Sequence, residues 1–320
     1  MKKFLNYNMQ FYLLRSKGIV KNFEKSKVKK ILINENYYSL INGYRAPFLD
    51  SNNKYLRNTS FFELYALYNF DRALRNILFK KILIIESKLK SVIAYTFSKK
   101  YENDYLNIEN YDILLKTDPQ YQSLSDKQKQ NNNKKLENIT SLISTLTKII
   151  SDNSDKKEFV NHYLLKYHQI PLWVLVNVLT FGNLSKFYSA LKQPQKQKIA
   201  QSFKVKDNIL KEYIKILGLF RNACAHEERC YCFRFRGDIQ NTPHHQRLNI
   251  PINSSGTYLF GKTDFFAVMI ILKELLSKKD FDIFKLKLDE AILKLDKKLK
   301  SISINDIYLI MGLPQNWRDL

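Results

Sequence analysis

The sequence predicts an all-α protein, and three observations support that fold class. Only 8 glycines and 7 prolines occur among the 320 residues, whereas average proteins use roughly 7% and 5% of these residues. Turn-rich β-sandwiches, barrels and glycine-loop nucleotide folds are therefore disfavoured. Hydrophobic residues make up 45% of the chain and charged residues 26%, an ordinary globular balance that can build a sizeable core. One long segment carries apolar residues at helical spacing, namely Leu78, Ile82, Ile85, Leu89 and Ile93.

The chain is expected to divide into an N-terminal helical module and a larger helical core. Residues 1–69 contain many aromatic residues, and Gly43 and Pro47 interrupt their periodicity, which is typical of short helices and turns. Residues 70–320 contain the longer periodic segments. The core is therefore expected to begin at about residue 70.

The first core helix is predicted from Asp71, a favourable N-cap residue, to about Lys99. Glu86 falls on the apolar face of this helix, because it lies four residues after Ile82 and three before Leu89. Another helix is predicted to begin at Asp207. A helix that starts at Pro171 is expected to be interrupted at Gly182. Further predicted helices cover about residues 139–150, 155–168, 263–278 and 280–300.

Two segments interrupt the helical pattern. Residues 116–138 are polar and contain Pro119 and three consecutive asparagines, so they are interpreted as a surface linker or insertion. Residues 230–261 alternate in character and contain prolines, so a small irregular or hairpin insertion is expected there.

The charge balance predicts an anionic partner. Lysine and arginine number 53 against 30 acidic residues, which gives a net charge of +23, and such a field attracts RNA, DNA or anionic membrane. Arginine is the more informative cation because it is rare here. Arg221, Arg229, Arg234 and Arg236 cluster, whereas no arginine lies between Arg75 and Arg221. Planar guanidinium groups match phosphate geometry, so phosphate chemistry is expected at this cluster.

Hydropathy predicts no membrane span. The longest apolar stretches, residues 171–182 and 265–271, are shorter than the roughly 18 to 20 residues that a spanning helix needs. Asn6, Asn8 and Gln10 interrupt any signal-peptide core near the N-terminus. The protein is therefore expected in the cytoplasm.

A polar motif closes the helix that begins at Asp207. In the segment "RNACAHEER", Asn222 and His226 are four residues apart and share a helix face, and Arg229 follows three residues later. Arg221 and His226 lie about 140° apart around an ideal helix. For both to reach one ligand, the helix must end or distort near His226, or the Arg221 side chain must reach around it.

Three cysteines surround the same motif. Cys224, Cys230 and Cys232 lie within nine residues and form no disulfide framework for a chain of this size. With His226 they contain enough ligand types for zinc, but their spacing does not match paired structural knuckles. No metal or cofactor is predicted.

Six segments in order resemble the bacterial abortive-infection proteins of the AbiD and AbiF kind, in the HEPN superfamily. These segments are "LRSKGIV" (14–20), "NYYSLINGYRAPF" (36–48), "FDRALRNILFKKILIIESKLKSVIAY" (70–95), "PLWVLVNVLTFGNLSKFYSAL" (171–191), "RNACAHEER" (221–229) and "MGLPQNW" (311–317). The resemblance implies a HEPN-like helical bundle and a phage-defence ribonuclease that acts without a metal ion.

The resemblance also implies roles for individual residues. His226 is expected to act as a general base or acid, Arg221 to stabilise the charge on the phosphorane, and Asn222 to orient His226 or a phosphate oxygen. Glu86 and Arg229 are expected to support the site, although Glu86 is equally explained as a buried structural carboxylate paired with a lysine. The cleavage needs both a general base and a general acid, and the motif supplies one histidine. A homodimer that brings two motifs together is therefore expected.

The sequence departs from the family pattern at two places. Glu227 and Glu228 follow the motif histidine where a second histidine and an arginine are common, and Lys90 replaces a frequent arginine. Negative charge beside the site repels the phosphate backbone. Lys90, Arg234 and Arg236 are the expected RNA contacts.

Two other function classes stay open at this point. A non-catalytic RNA-binding protein that senses or is restrained by a structured RNA shares the same charge and motif. A purely structural or protein-interaction helical protein predicts no salt-dependent RNA binding. Without the six segments, a structural explanation is favoured, in which Arg221 and His226 bridge helix ends.

Overall fold

A computed structural model describes residues 3–320, and in this part of the chain the protein is all-α, as predicted. Its only strand-like pairings in that range are three isolated antiparallel bridges. No helix within residues 3–320 has the length and apolar character needed to cross a membrane. The α-helices are α1 (Tyr7–Ser16), α2 (Lys25–Asn34), α3 (Phe61–Tyr101), α4 (Pro119–Gln122), α5 (Asp126–Asn153), α6 (Glu158–Tyr167), α7 (Leu172–Leu175), α8 (Phe181–Ala190), α9 (Gln193–Ser202), α10 (Asp207–Ala225), α11 (Pro243–Arg247), α12 (Phe265–Leu275), α13 (Lys278–Asp296) and α14 (Ile304–Met311).

The described chain forms two compact units. The first unit contains residues 3–81, 222–273 and 277–320, and the second contains residues 82–221 and 274–276. The division falls within α3 and within α10, so each of these helices contributes to both units. The predicted boundary near residue 70 also falls inside α3, and the division into a module and a core stays a prediction.

Helix α3 begins ten residues earlier than the sequence predicts. Ser60 and Glu63 form a capping box, in which the Ser60 N–H donates to Glu63 Oε2 at 2.9 Å and the Glu63 N–H to Ser60 Oγ at 3.3 Å. The prediction that Asp71 caps this helix is therefore wrong. Asp71 lies inside α3 and is fully buried.

The apolar stripe of α3 forms core, as its spacing predicts. Ile82, Ile85, Leu89 and Ile93 are at most 1% exposed in the second unit. Glu86 lies among them and is 6% exposed, which confirms its predicted place on the apolar face. Helix α12 is apolar on all sides, and residues 265–272 are all buried, as expected for a central helix of the first unit.

The interpretation of residues 116–138 as a linker does not match their conformation. Ser125 and Gln128 form a capping box that starts α5, and this helix continues to Asn153. Asn132, despite its polar neighbours, is buried and exchanges two hydrogen bonds with the main chain of Leu114, at 2.8 and 3.0 Å. From Asp126 onward the polar residues form the exposed face of an amphipathic helix, so a polar composition does not by itself indicate a loop.

Residues 230–261 are irregular, in agreement with the sequence. They contain the short helix α11 and one antiparallel bridge between Ile252 and Tyr258. No further β-pairing is recorded for this segment.

The C-terminal segment "MGLPQNW" depends on a glycine. Gly312 follows α14 in the left-handed region, with φ of 72°, and a Cβ atom there would collide with the carboxylate of Asp264. Asp264 is buried and accepts hydrogen bonds from the N–H groups of Gly261 and Ala267 at the start of α12. Only glycine satisfies both the backbone angle and the close approach.

Candidate functional site

The predicted motif lies where α10 ends. The His226 N–H donates to the Asn222 carbonyl at 2.9 Å, and the Glu228 N–H donates back to the Ala223 carbonyl at 2.9 Å. Glu227 lies between them in the left-handed region, with φ of 56°. This is the Schellman pattern of helix termination, with glutamate at the position that glycine usually occupies. The helix therefore ends at His226, one of the alternatives that the motif spacing required.

Asn222 and His226 are exposed residues of the first unit. His226 lines a cleft of about 670 Å³, and the cations in the same lining are Arg75, Arg229 and Arg234. The arginines come from distant parts of the sequence, since Arg75 belongs to α3. The cleft thus combines a titratable imidazole with groups that suit phosphate oxygens.

A buried carboxylate, Asp71, binds two residues that line this cleft, Tyr44 and Arg75. Asp71 accepts hydrogen bonds from the Tyr44 hydroxyl at 2.7 Å, from Arg75 at 2.7 Å, and from the N–H groups of Cys230 at 3.1 Å and Tyr231 at 2.9 Å. The Arg75 side chain is only 5% exposed. Burial of the hydroxyl and the neighbouring Asp71 charge raise the pKa of Tyr44 above its ordinary range. Asp71 thus connects three segments of the first unit.

The other arginines of the cluster have different surroundings. Arg229 donates to the Gly43 carbonyl at 2.7 Å, which ties the motif to the segment "NYYSLINGYRAPF". Arg234 is exposed and donates to the Ile310 carbonyl at 2.7 Å. Arg236 is exposed but is not among the residues that line the cleft.

Acidic groups share the cleft with these cations. Glu227 and Glu228 are both exposed, and both line it beside His226. The Glu228 main-chain carbonyl also accepts from Arg75 at 3.4 Å. The departure from the family pattern therefore brings negative charge into the cleft itself.

The other predicted residues belong to the second unit. Glu86 Oε1 lies 3.1 Å from the Lys90 ammonium, and its Oε2 lies 4.0 Å from Arg221 Nε. The side chain of Arg221 is 29% exposed, against 8% for Glu86. The structure thus brings together Glu86, Lys90 and Arg221.

Lys90 also lines a second cleft, of about 710 Å³, in the second unit. Two exposed aromatic rings line the same cleft, Tyr95 at 65% and Trp173 at 52% exposure, together with Lys99. Exposed rings beside ammonium groups are the typical components of a single-stranded nucleic-acid surface. Neither ring was predicted from the sequence as a site residue.

Tyr44, Asp71 and Arg75 were not predicted from the sequence as residues of the site. A signal for two of them was present, because an aspartate and an arginine four residues apart on an apolar helix form a pair on one face. That spacing indicated a pair, although it contained no information about the contacts with Tyr44, Cys230 and Tyr231.

The fold and the cleft define an all-α protein with a histidine and arginine site at the end of a core helix. The family model described as "Abi-like protein" matches residues 30–232, and the chain belongs to that family. The matched range includes the motif and the segment around Gly43. Family membership suggests phage defence by abortive infection. No curated protein and no solved structure matches the chain.

Proposed function

We propose that this protein is a HEPN-type ribonuclease, of the AbiD and AbiF kind, that cleaves RNA in phage defence without a metal ion. One observation carries the proposal: α10 ends at the motif, so exposed His226 lies at a cleft that three arginines also line. A histidine that only bridged helix ends would be expected to contact protein partners rather than line an open cleft.

The reaction uses the substrate's own 2′-hydroxyl. His226 takes the proton from this hydroxyl while the oxygen attacks phosphorus, and the 5′-oxygen leaves with a proton from a general acid. Arg221 stabilises the charge that develops on the phosphorane, and Asn222 orients the imidazole or a phosphate oxygen. Glu86, 4.0 Å from Arg221, limits the directions that the guanidinium adopts. Products carry 2′,3′-cyclic phosphate and 5′-hydroxyl ends.

The proposal includes a homodimer and an RNA surface. His226 is the one histidine among the residues that line its cleft, so the second proton-transfer group is the His226 of another copy. Arg234 and Arg236 contact phosphates near the motif. Lys90 does so at its own cleft, where Tyr95 and Trp173 stack bases.

The deciding experiment compares His226→Ala with His162→Ala in cells and with purified protein. His162 is an exposed helical histidine of α6 and serves as the matched control. We expect His226→Ala to abolish RNA cleavage and toxicity with an unchanged melting temperature, since an exposed side chain contributes little to packing. The control should remain active. Unfolding of His226→Ala, or equal activity of both variants, contradicts the assignment.

Metal independence has its own test. Cleavage should persist in EDTA, and sequencing of RNA ends should find 2′,3′-cyclic or 3′-phosphates. Loss of cleavage in EDTA, or 5′-phosphate products, would falsify this mechanism.

A second candidate function is non-catalytic binding of a structured RNA. The observation that favours it is the exposure of Glu227 and Glu228 in the cleft of His226, because carboxylates oppose the negative charge of a reacting phosphate. This function predicts RNA binding that weakens steeply with salt, with no cleaved ends. If the double variant Glu227→Gln with Glu228→Gln cleaves RNA and the original protein does not, the protein is instead an enzyme whose activity these two carboxylates reduce.

A further inference from the structure

Four lysines converge on one pocket of the second unit, separate from the residues of the proposed ribonuclease site. The pocket has a volume of about 450 Å³ and is lined from α5, α8, α9 and α10. Its cationic residues are Lys135, Lys186, Lys196 and Lys211. The acidic residue of the lining is Asp112. The local charge is therefore strongly positive.

Lys196 is the informative member of this group. It is 9% exposed, so its ammonium group is largely removed from water. Asp112 lies 3.5 Å from it and is shared with Lys135, at 3.1 Å. Burial, together with the charges of Lys211 and Lys135, lowers the pKa of Lys196. The single, partly exposed carboxylate of Asp112 thus lies close to the ammonium groups of both Lys135 and Lys196. A bound anion would stabilise both charged groups.

Neutral groups complete the pocket in a way that suits phosphate oxygens. Ser141, Ser185 and Ser189 line it with Asn138, and these side chains can donate hydrogen bonds. Apolar lining residues are present, but none of the lining residues has an aromatic ring. The pocket can therefore bind an anion through its ammonium groups and its hydroxyl and amide donors. It has no aromatic ring on which a nucleobase could stack.

The position of Asp112 is set by the backbone. Its N–H donates to the Ala190 carbonyl at 2.9 Å, beside the antiparallel bridge between Tyr111 and Leu191. Behind Lys196, the Tyr188 hydroxyl donates to the Lys196 carbonyl at 3.2 Å. The carboxylate and the buried lysine are thus held by main-chain contacts, and the pocket does not depend on exposed side chains alone.

We propose that this pocket binds the phosphate groups of a small phosphorylated ligand, a compact polyanion such as pyrophosphate. Its volume lies in the usual range for small-molecule sites. The lysines line one concave volume, and this arrangement favours a compact polyanion over an extended strand. Phosphate groups on an RNA backbone offer the same chemistry, so the experiment separates the two sources.

The experiment measures binding of pyrophosphate and of ATP to the full chain by calorimetry at low salt. Lys186→Gln with Lys211→Gln removes two exposed pocket lysines, while Lys127→Gln with Lys148→Gln removes the same charge from exposed positions of α5 outside the pocket. We expect the pocket variant to bind pyrophosphate at least about tenfold more weakly, because it loses two ammonium groups that donate charge-assisted hydrogen bonds to phosphate oxygens. The control variant should bind as the original protein does.

A second arm uses a short single-stranded RNA with the same variants. Equal RNA affinity of the pocket variant and its control supports the small-ligand site. A pocket variant that loses RNA affinity while pyrophosphate binding is unchanged overturns it. Absence of pyrophosphate binding to the original protein, or equal weakening in both double variants, also overturns it. These outcomes are independent of RNA cleavage, because neither variant changes the motif.

Discussion

The buried carboxylate under the His226 cleft gives the most direct test of how the fold supports the site. Substitution Asp71→Asn keeps the shape of the side chain but removes its charge. An amide cannot accept hydrogen bonds from all four donors that Asp71 now serves, since one of its two polar atoms is itself a donor. Arg75 would then be left buried beside an uncharged partner.

The expected loss follows from burial. The Asp71 side chain is 0% exposed and that of Arg75 is 5% exposed, and removing one partner of a buried pair costs about 3–5 kcal/mol. We expect Asp71→Asn to lower the free energy of unfolding by about 3 kcal/mol, the lower end, because the amide retains some hydrogen bonds. At about 2–4 °C per kcal/mol, the melting temperature should fall by about 6–12 °C.

The assay combines thermal unfolding with hydrogen exchange. The Cys230 and Tyr231 amides donate to Asp71, so a peptide containing them should exchange faster in the variant. Glu290→Gln is the matched control, because its ion pair with Lys287 has side chains 46% and 53% exposed. Exposed pairs contribute about 0–1 kcal/mol. Equal changes in melting temperature for Asp71→Asn and Glu290→Gln, or unchanged amide exchange at Cys230 and Tyr231, would refute the stabilising role of Asp71.

Three further predictions address other parts of the first unit. The hydrogen bonds that Arg72 donates to Glu35 hold the pKa of this carboxyl below its ordinary range, so its stabilisation is complete above about pH 4.3 and is lost as the pH falls through the lower folded pKa. In the Glu35→Gln variant, the free energy of unfolding should therefore fall less steeply as the pH is lowered. An unchanged dependence on pH would count against a stabilising Arg72–Glu35 pair. Gly312→Ala should cost at least about 2 kcal/mol by urea unfolding because it adds a collision to backbone strain, whereas Gly256→Ala, with φ of 77° and open space around it, should cost about 1 kcal/mol; equal losses would contradict the collision. The hydrogen bond with Cys224, together with burial, raises the pKa of the Cys230 thiol. Iodoacetamide at about pH 8 should therefore label Cys230 only after unfolding. Rapid labelling of Cys230 in the native protein would argue against this environment.

Helix α3 starts earlier than the sequence predicts, because a capping residue does not by itself determine where a helix begins. Asp71 is a favourable N-cap residue, but the capping box at Ser60 and Glu63 starts the helix earlier. Both signals were present in the sequence. The earlier one prevails because it lets the apolar residues that follow it enter the core, and this outcome depends on tertiary packing.

The helical class, the apolar face that contains Glu86, and the motif at the end of α10 could all be predicted from the order of the residues alone. Periodicity and spacing are local properties, so they can be read without the fold. By contrast, the folded chain was needed to find that Asp71 joins Tyr44 to Cys230 and Tyr231, and that Lys135 and Lys211 line one pocket. Such contacts join residues far apart in the chain, and their partners depend on how whole helices pack.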